Sequence, residues 1–292
     1  MRLCRFKLPG AAGERLGLVE GDAVRDVTPA LNVIPSVCYP YPPHDALIAS
    51  LDAVRMAIIG LADDGARYSL DEIDLLSPLA NPGKLVAAPV NYRAHLDEAI
   101  AEPATFSREH VRRIQETGLF LKATSALIGG GAAIELRHPD RRTDHEIELA
   151  VIIGKAGKGI PPACALDHVA GYAIGLDITI RGPEERSLRK SLDTYAVLGP
   201  WLVTADEIGD PAGLDLLLSV DGQERQRANT RDLILDVPML IAFASDYYTL
   251  HPGDVLFTGT PEGVGPIRPG ERIEASIAGI GTLRVDVVSA PA

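Results

Sequence analysis

Short apolar runs, separated by polar or glycine-containing segments, dominate the chain from Lys84 onward. Their length and their content of β-branched residues are typical of strands. The runs are KLVAAPVNY, LFLKA, EIELAVIIG, GYAIGLDITI, WLVTA, LDLLLSV, DVLFTG, RIEASI and TLRVDVV. Helical patterns interrupt them at PACALDHVAG and LDVPMLIAFASDYY. Many strands with few helices, without regular βαβ alternation, predict a mixed α/β, β-rich fold.

The first 80 residues have a different texture, which predicts a small N-terminal β-containing domain. Three β-like runs come first, RLCRFKL, RLGLVEG and AVRDVTP, and a helical pattern with apolar residues at Leu47, Leu51, Val54 and Ile58 follows. The segment LSPLANPGK then reads as a linker, because proline and glycine punctuate it. We therefore predict domains at 1–80 and 84–292.

Composition and charge narrow the function classes. Of 292 residues, 46% are hydrophobic and 23% charged, a globular balance, and the formal net charge is −12. A nucleic-acid partner is not expected, since binding requires clustered basic residues. No membrane association is expected either, because no apolar stretch approaches the ~18–20 residues that span a bilayer. Cys4, Cys38 and Cys164 form no CxxC pair, which favours reduced thiols and a cytoplasmic location.

The segment DHEIELAVIIG carries the first chemical signal. On a strand, Glu146 and Glu148 project from the same face, and that face continues through Ala150 and Ile152. Two acids at this spacing are tolerated most easily with a cation between them, and carboxylates favour Mg²⁺, Mn²⁺ or Ca²⁺. The alternative is a solvated edge strand with alternating acids.

Asp177 is the single carboxylate within the apolar run GYAIGLDITI. A charge in such a run is costly unless it is paired or bound to a metal, so Asp177 is a third candidate ligand. The alternative is an aspartate that caps the next turn.

The segment NYRAHLDE supplies a candidate base. If it is helical, His95 and Glu98 are neighbours at i and i+3, and the carboxylate would orient the imidazole to deprotonate a water. An ordinary surface pair is the alternative. Lys190 could hold a substrate carboxylate or an enolate oxygen, although most lone lysines are solvated.

The glycine-rich turn TGTPEGVGP follows the strand DVLF. Its backbone N–H groups and the Thr260 hydroxyl could bind an anion, unless the turn is only structural. The chain contains no GxSxG, no HExxH and no GxGxxG after a strand, so these motifs do not support a serine hydrolase, a zincin or a dinucleotide enzyme.

Six motifs together resemble the fumarylacetoacetate hydrolase family, including its acylpyruvase and 2-hydroxyhepta-2,4-diene-1,7-dioate isomerase members. They occur in one order over residues 84–292: NYRAHLDEA, LFLKATSAL, DHEIELAVIIGK, VAGYAIGLDIT, RKSLDTYAVLGPWLVT and PGDVLFTGTPEGVG. The resemblance implies a β-sandwich roll core, usually dimeric, with bound Mg²⁺ or Mn²⁺. It also implies a small anionic keto-acid substrate.

The resemblance also implies residue roles. Metal ligation falls to Glu146, Glu148 and Asp177. Catalysis falls to His95 and Glu98, on a lid segment that orders over substrate, and to Lys190. Substrate contacts fall to Tyr92, Lys122, Arg181 and Thr260.

Three departures from the family pattern concern the substrate. Many relatives read ARDxQ after the metal-binding Asp, whereas this chain has Ile180-Arg181-Gly182-Pro183-Glu184, and the added acid would repel a dicarboxylate. The lid segment EPATFSREHVRRIQETG is longer than in the smallest relatives, and it carries Arg108, Arg112 and Arg113, which could meet a distal carboxylate. Where the family usually has Lys-Pro, this chain has Lys122-Ala123, a form associated with sugar-acid-degrading relatives.

The leading functional hypothesis is hydrolysis of a C–C bond in an acylpyruvate or 2,4-diketo acid, through a metal-stabilised enolate and a water activated by His95. Decarboxylation or keto–enol isomerisation of a small oxo-dicarboxylate at the same site is the alternative. A silent homologue that only binds keto acids is a third hypothesis.

Overall fold

The computed structural model describes residues 1–101 and 114–291. Its strands, in chain order, are β1 (Arg2–Lys7), β2 (Arg15–Glu20), β3 (Ala23–Asp26), β4 (Arg67–Ser69), β5 (Asp74–Leu76), β6 (Leu85–Ala87), β7 (Phe120–Lys122), β8 (Leu127–Ile128), β9 (Ile134–Leu136), β10 (Thr143–His145), β11 (Ile147–Ile153), β12 (Val169–Asp177), β13 (Thr179–Ile180), β14 (Ala196–Thr204), β15 (Asp215–Val220), β16 (Gln223–Asn229), β17 (Val255–Phe257), β18 (Gly265–Pro266), β19 (Arg272–Ile277) and β20 (Gly281–Ser289).

Helices are fewer than strands among the described residues. The α-helices are α1 (Ala46–Ala49), α2 (Leu51–Gly60), α3 (Arg93–Ala101), α4 (Ile114–Thr117), α5 (Arg186–Arg189), α6 (Ala205–Ile208) and α7 (Val237–Tyr247). Single 3₁₀ segments span Thr28–Val33, Thr124–Ala126, Pro162–His168 and Thr230–Asp232. The predicted mixed, strand-rich fold is confirmed.

A twelve-stranded sheet forms the centre of the described structure. Its main path runs β4-β3-β2-β1-β14-β12-β11-β17-β6-β7, with β5 beside β1 and β8 beside β14. A five-stranded sheet has the order β16-β15-β19-β20-β9, and a small sheet joins β13, β10 and β18. The neighbours β11 and β12 lie in the middle of the large sheet, where both faces are covered.

Strand β11 shows why the sequence here is almost continuously apolar. Leu149 and Val151 belong to one core cluster, together with residues of β15, β19 and α7, whereas Ala150 and Ile152 belong to the cluster on the opposite face. A strand covered on both faces needs apolar side chains at every position. Glu148 therefore continues a buried row, as the alternation predicted.

The helices cover the sheet through narrow apolar stripes. On α2 the buried residues Leu51, Val54 and Ile58 recur at helical spacing and join the second core cluster. Helix α7 begins after its N-cap residue Asp236. The Asp236 side chain accepts from the N–H of Met239, one of the N–H groups that have no partner within the helix. The predicted helix PACALDHVAG is instead the 3₁₀ segment Pro162–His168.

The N-terminal strands extend the large sheet, because β1 pairs with β14 through Leu3 and Leu202. The division into two domains at 1–80 and 84–292 stays a prediction. Strand β16 was not predicted, since its sequence QERQRAN buries only Gln226 fully and so lacks an apolar pattern. Across residues 1–101 and 114–291, we find no helix that is both long and apolar enough to cross a membrane.

Candidate active site

Three carboxylates meet at the ends of β11 and β12. The two strands pair antiparallel, and the N–H of Asp177 donates to the carbonyl oxygen of Glu146 over 2.9 Å. This pairing sets Asp177 beside the segment that carries Glu146 and Glu148. Oxygen atoms of the three carboxylates lie within 4.8 Å of one another, and all three residues are buried. The structure therefore brings the predicted metal ligands together.

The acids have unequal environments. Burial, with repulsion from Asp177 and Glu146, raises the pKa of Glu148 well above its ordinary 4.5. Burial also opposes ionisation of Glu146, but Lys190 and Arg181 outweigh it and lower the pKa of Glu146 to about 2. A cation near Glu148 would offset both the burial and the repulsion, and so would favour the ionised carboxylate.

Two buried lysines support the cluster from within the protein. Lys190 Nζ donates to Glu146 Oε2 over 2.7 Å, to Asp177 Oδ2 over 2.6 Å and to Thr179 Oγ1 over 2.6 Å. Lys122 Nζ contacts Asp177 Oδ1 and the carbonyl oxygen of Lys190. The Lys122 side chain is fully buried, so in this arrangement it holds Asp177; its substrate contact stays a prediction.

The donor set fits a divalent cation of the oxygen-preferring kind. Its members are acidic oxygens. Among the described residues no lysine forms a hydrogen bond with Glu148, and the Gly259 N–H donates to its Oε2 over 2.6 Å. The ion-paired cluster around this point contains four carboxylates and four cationic side chains: Glu146, Glu148, Asp177 and Asp144, with Lys122, Lys190, Arg181 and Arg142. With all eight ionised the charges balance, and a divalent ion would make the site net positive.

The predicted His95–Glu98 pair lies on α3, in the geometry that the i, i+3 spacing anticipated. His95 Nδ1 and Glu98 Oε2 are 2.9 Å apart, and Glu98 Oε1 accepts from the Gly263 N–H over 2.9 Å. Burial favours the protonated acid, but these hydrogen bonds outweigh it and lower the pKa of Glu98. An ionised Glu98 only accepts, so a neutral His95 carries its proton on Nδ1 and presents a basic Nε2.

Tyr92 and Thr260 are almost completely buried, at 1% exposure each. The Tyr92 hydroxyl finds no hydrogen-bond partner within the described part of the chain. Burial and the nearby Glu148 raise the pKa of Tyr92, so the hydroxyl keeps its proton as a donor. Thr260 Oγ1 accepts from Gln226 Nε2 over 2.8 Å. The buried Tyr92 hydroxyl, which has no hydrogen-bond partner among the described residues, is suited to bind a polar ligand.

Arg181 and Glu184 lie in the segment that we expect to differ from the family pattern. Arg181 donates to Asp144 Oδ2 over 2.6 Å and to Glu146 Oε1 over 2.9 Å. Glu184 receives two hydrogen bonds from Arg141, at 2.9 and 2.8 Å, and this pairing lowers its pKa. The Arg141 charge offsets the repulsion of a dicarboxylate that the sequence led us to expect from Glu184.

One residue of the site, Gln226, was not predicted from the sequence, and some predicted site residues lie outside the described residues. Gln226 lies in a charged run whose pattern gives no local signal, because its partners are 34 to 81 residues away. The predicted lid arginines Arg108, Arg112 and Arg113 lie outside the described residues.

Known proteins with similar sequences and structures include hydrolases and a tautomerase that act on keto acids. A maleylpyruvate hydrolase of Aquipseudomonas alcaligenes is 52% identical over 291 residues, covering 99% of this chain and 100% of that protein. The mitochondrial oxaloacetate tautomerase of Arabidopsis thaliana is 38% identical over 213 residues, covering 70% of this chain and 90% of that protein. A crystal structure of maleylpyruvate hydrolase from Sphingobium sp. SYK-6, in complex with manganese(II) ion and pyruvate, has a TM-score of 0.83 and 41% identity, covering all of both chains.

The family assignment predicted from six motifs is confirmed by a match that spans most of the chain. Residues 84–288 match the family model described as fumarylacetoacetate (FAA) hydrolase C-terminal. The matched region includes every residue of the site built above. This chain belongs to the fumarylacetoacetate hydrolase family.

Proposed function

We propose that this protein is a metal-dependent acylpyruvate hydrolase, and that its substrate is a dicarboxylic acylpyruvate such as maleylpyruvate. The observation that carries the proposal is the cluster of three buried carboxylates within 4.8 Å, close to an ordered His–Glu pair. The 52% identity with a maleylpyruvate hydrolase over almost the whole chain supports the substrate class. Water would be added across the C–C bond, giving a carboxylic acid and pyruvate.

The cofactor we propose is Mn²⁺ or Mg²⁺, held by Glu146, Glu148 and Asp177. Carboxylate oxygens suit both ions, and the manganese complex of a relative with 41% identity supports the first. When bound, the ion supplies Lewis acidity that stabilises negative charge on the 2-oxo oxygen of the substrate.

The base in this proposal is His95. Glu98 holds the Nδ1 proton, so Nε2 can take a proton from the water that attacks the carbonyl group distal to the carboxylate. The Gly263 N–H fixes the second oxygen of Glu98, which limits rotation of the carboxylate and therefore of the imidazole. His95 can return this proton to the departing carbon, so one residue would serve both halves of the reaction.

Lys190 and the two buried hydroxyls would orient the α-keto acid end. Lys190 donates to both Glu146 and Asp177, and its charge lowers the energy of an anion formed nearby. The Tyr92 and Thr260 hydroxyls can each donate to a carboxylate or oxo oxygen. These donors are fixed before substrate arrives, because burial and neighbouring hydrogen bonds set their positions.

Arg186 is our candidate for binding the second carboxylate. Its guanidinium lies 5.4 Å from the centroid of the Phe120 ring, and Lys190 Nζ lies 5.3 Å from the same centroid. Among the described residues, no carboxylate forms a hydrogen bond or ion pair with this guanidinium. Burial and the adjacent Arg189 lower the pKa of Arg186, so an incoming anion would stabilise its charge.

A second candidate reaction is keto–enol tautomerisation of an oxo-dicarboxylate. The 38% identity with an oxaloacetate tautomerase favours it, because the same His–Glu pair could move a proton between carbon and oxygen without adding water. Comparing products from maleylpyruvate and from oxaloacetate distinguishes the two. We also propose a homodimer and a cytoplasmic location, both of which rest on the family; light scattering tests the first.

The decisive experiment measures pyruvate release from maleylpyruvate with Mn²⁺, with EDTA, and in Glu148→Ala. We expect turnover with the metal, loss with EDTA that added Mn²⁺ reverses, and loss in the variant. Glu20→Ala, which removes an exposed acid at the end of β2, is the matched control and should keep full activity. Undiminished turnover in both EDTA and Glu148→Ala would refute the metal-dependent mechanism.

Arg186→Met tests the second carboxylate separately. We expect KM for maleylpyruvate to rise about 10- to 100-fold, the value of a lost charged hydrogen bond, while KM for the monocarboxylic acetylpyruvate stays the same. Arg268→Met removes an exposed arginine and serves as the control. Equal increases in KM for both substrates would contradict this role.

A further inference from the structure

Gln226 is a buried carboxamide between two parts of the active site. It is 1% exposed, although most residues around it on β16 are exposed. Burying an amide without hydrogen-bond partners costs free energy, so the partners of such a group define what it does. The hydrogen-bond partners of Gln226 lie in the metal-binding segment on one side and in the turn after β17 on the other.

All four hydrogen-bonding positions of this amide are used. Oε1 accepts from the Ile147 N–H over 3.1 Å and lies 3.1 Å from His145 Nδ1. Nε2 donates to Thr260 Oγ1 over 2.8 Å and to the Pro261 carbonyl oxygen over 2.9 Å. The Ile147 N–H can only donate and the Pro261 carbonyl can only accept, so the orientation of the amide is unambiguous.

This orientation decides the direction of the Thr260 hydroxyl. A hydroxyl has one proton, and the Thr260 oxygen already accepts from Gln226 Nε2. The Thr260 proton must therefore point away from Gln226, and Thr260 can act as a donor toward a bound anion. Ile147, the other backbone contact of Gln226, lies between Glu146 and Glu148 in the chain.

We propose that Gln226 is a positioning residue that holds the Thr260 hydroxyl as a hydrogen-bond donor to the substrate carboxylate and ties this donor to the metal-binding segment. The inference rests on the proposed function insofar as the anion at Thr260 is a keto acid. It concerns ligand binding, so it can be tested whether or not the protein hydrolyses acylpyruvates.

The probe is oxalate, which resembles the carboxylate and oxo oxygens of an α-keto acid, titrated calorimetrically into the Mn²⁺-loaded protein. Gln226→Glu keeps the shape and still accepts from Ile147 and His145. Its second oxygen would, however, take the Thr260 proton instead of donating. We expect the Kd for oxalate to rise about tenfold or more. Gln223→Glu adds the same charge at an exposed site on β16 and should leave the Kd unchanged.

A double-mutant cycle separates positioning from a general structural effect. If Gln226 acts through Thr260, then Gln226→Glu weakens oxalate binding in the wild type and has little further effect in Thr260→Val. Thr260→Ser keeps a hydroxyl and should restore the full effect of Gln226→Glu. Independent, multiplicative losses in the Val background would overturn the proposal.

A further variant protects the test against misfolding. If Gln226→Glu is unfolded by circular dichroism, Gln226→Met replaces it, because methionine has a similar length and no charge. Because methionine also loses the contact with the Ile147 N–H, its effect on the oxalate Kd should be clearly larger in Thr260→Ser than in Thr260→Val. Oxalate binding that is insensitive to both substitutions at position 226 also overturns the proposal. Loss of maleylpyruvate turnover alone would count only against the proposed function.

Discussion

Lys190 Nζ lies 2.6 Å from Asp177 Oδ2, and the same ammonium group also donates to Glu146. Removing one partner of a buried ion pair leaves uncompensated charge, so we expect Lys190→Met to lower the free energy of unfolding of the metal-free protein by about 3–5 kcal/mol. Excess Mn²⁺ should recover much of this loss, since the ion would replace the missing charge. Chemical denaturation with and without Mn²⁺ measures both effects. Lys158→Met, at an exposed position, is the control, and equal stability of the two variants would contradict the argument.

Glu148 should make the stability of the metal-free protein depend on pH. Its pKa is raised well above 4.5, so the folded state binds the proton more tightly than the unfolded state. The contribution of Glu148 to stability is then fully present below about pH 4.5, and it falls by about 1.4 kcal/mol per pH unit as the pH rises toward the raised pKa. Unfolding midpoints in EDTA should show this fall, and Glu148→Gln should not.

Metal binding should reverse that dependence, because the ion requires an ionised Glu148 and releases its proton. We expect Mn²⁺ affinity to increase with pH, with proton release detectable by calorimetry in buffers of different ionisation enthalpy. A pH-independent affinity, or the same proton release in Glu148→Gln, would show that this carboxyl is not the group that titrates.

Glu98→Gln tests whether the tautomer of His95 matters. If the amide oxygen accepts from the Gly263 N–H, the amide nitrogen must donate to His95 Nδ1, which moves the imidazole proton to Nε2 and removes the base. We expect kcat to fall by about 10²–10⁴-fold, with Mn²⁺ affinity unchanged. Steady-state kinetics at saturating Mn²⁺ provides the measurement. Asp97→Asn, an exposed neighbour, should keep its rate, and a similar decrease there would point to a general effect on α3.

Gly259→Ala should damage the metal site through the backbone. Gly259 has a φ of +96°, and an added Cβ would lie 2.8 Å from the Cβ of Asn91. Since its N–H donates to Glu148, we expect a loss of stability of about 1–3 kcal/mol together with weaker Mn²⁺ binding. Gly270→Ala is the matched control, because Gly270 has a φ of +94° with open space around it. That variant should lose stability but not Mn²⁺ affinity, as thermal unfolding and metal titration will show.

The parts of the site that could be predicted from sequence depend on short-range geometry. Glu146 and Glu148 are two residues apart, and the alternation of a strand places them on one face. His95 and Glu98 are one helical turn apart. Asp177 closes the next strand of the large sheet, so antiparallel pairing of consecutive strands is enough to bring it to the acids.

The parts that could not be predicted depend on contacts between distant segments. Nothing local to QERQRAN distinguishes Gln226 from its exposed neighbours, because its burial results from packing against residues far along the chain. The sequence likewise does not show that Lys122 lies behind Asp177, or that Arg141 neutralises Glu184. Those arrangements follow from where β7, at one end of the large sheet, and the segment before β10 lie in three dimensions.

The turn after β17 reaches all three parts of the site through one stretch of backbone. The Gly259 N–H donates to Glu148, the Thr260 hydroxyl accepts from Gln226, and the Gly263 N–H donates to Glu98. An insertion or deletion within residues 258–263 would consequently disturb cation, ligand and base together. A change of substrate preference at this site would therefore require exchange of side chains around the turn while the length of the turn stays the same.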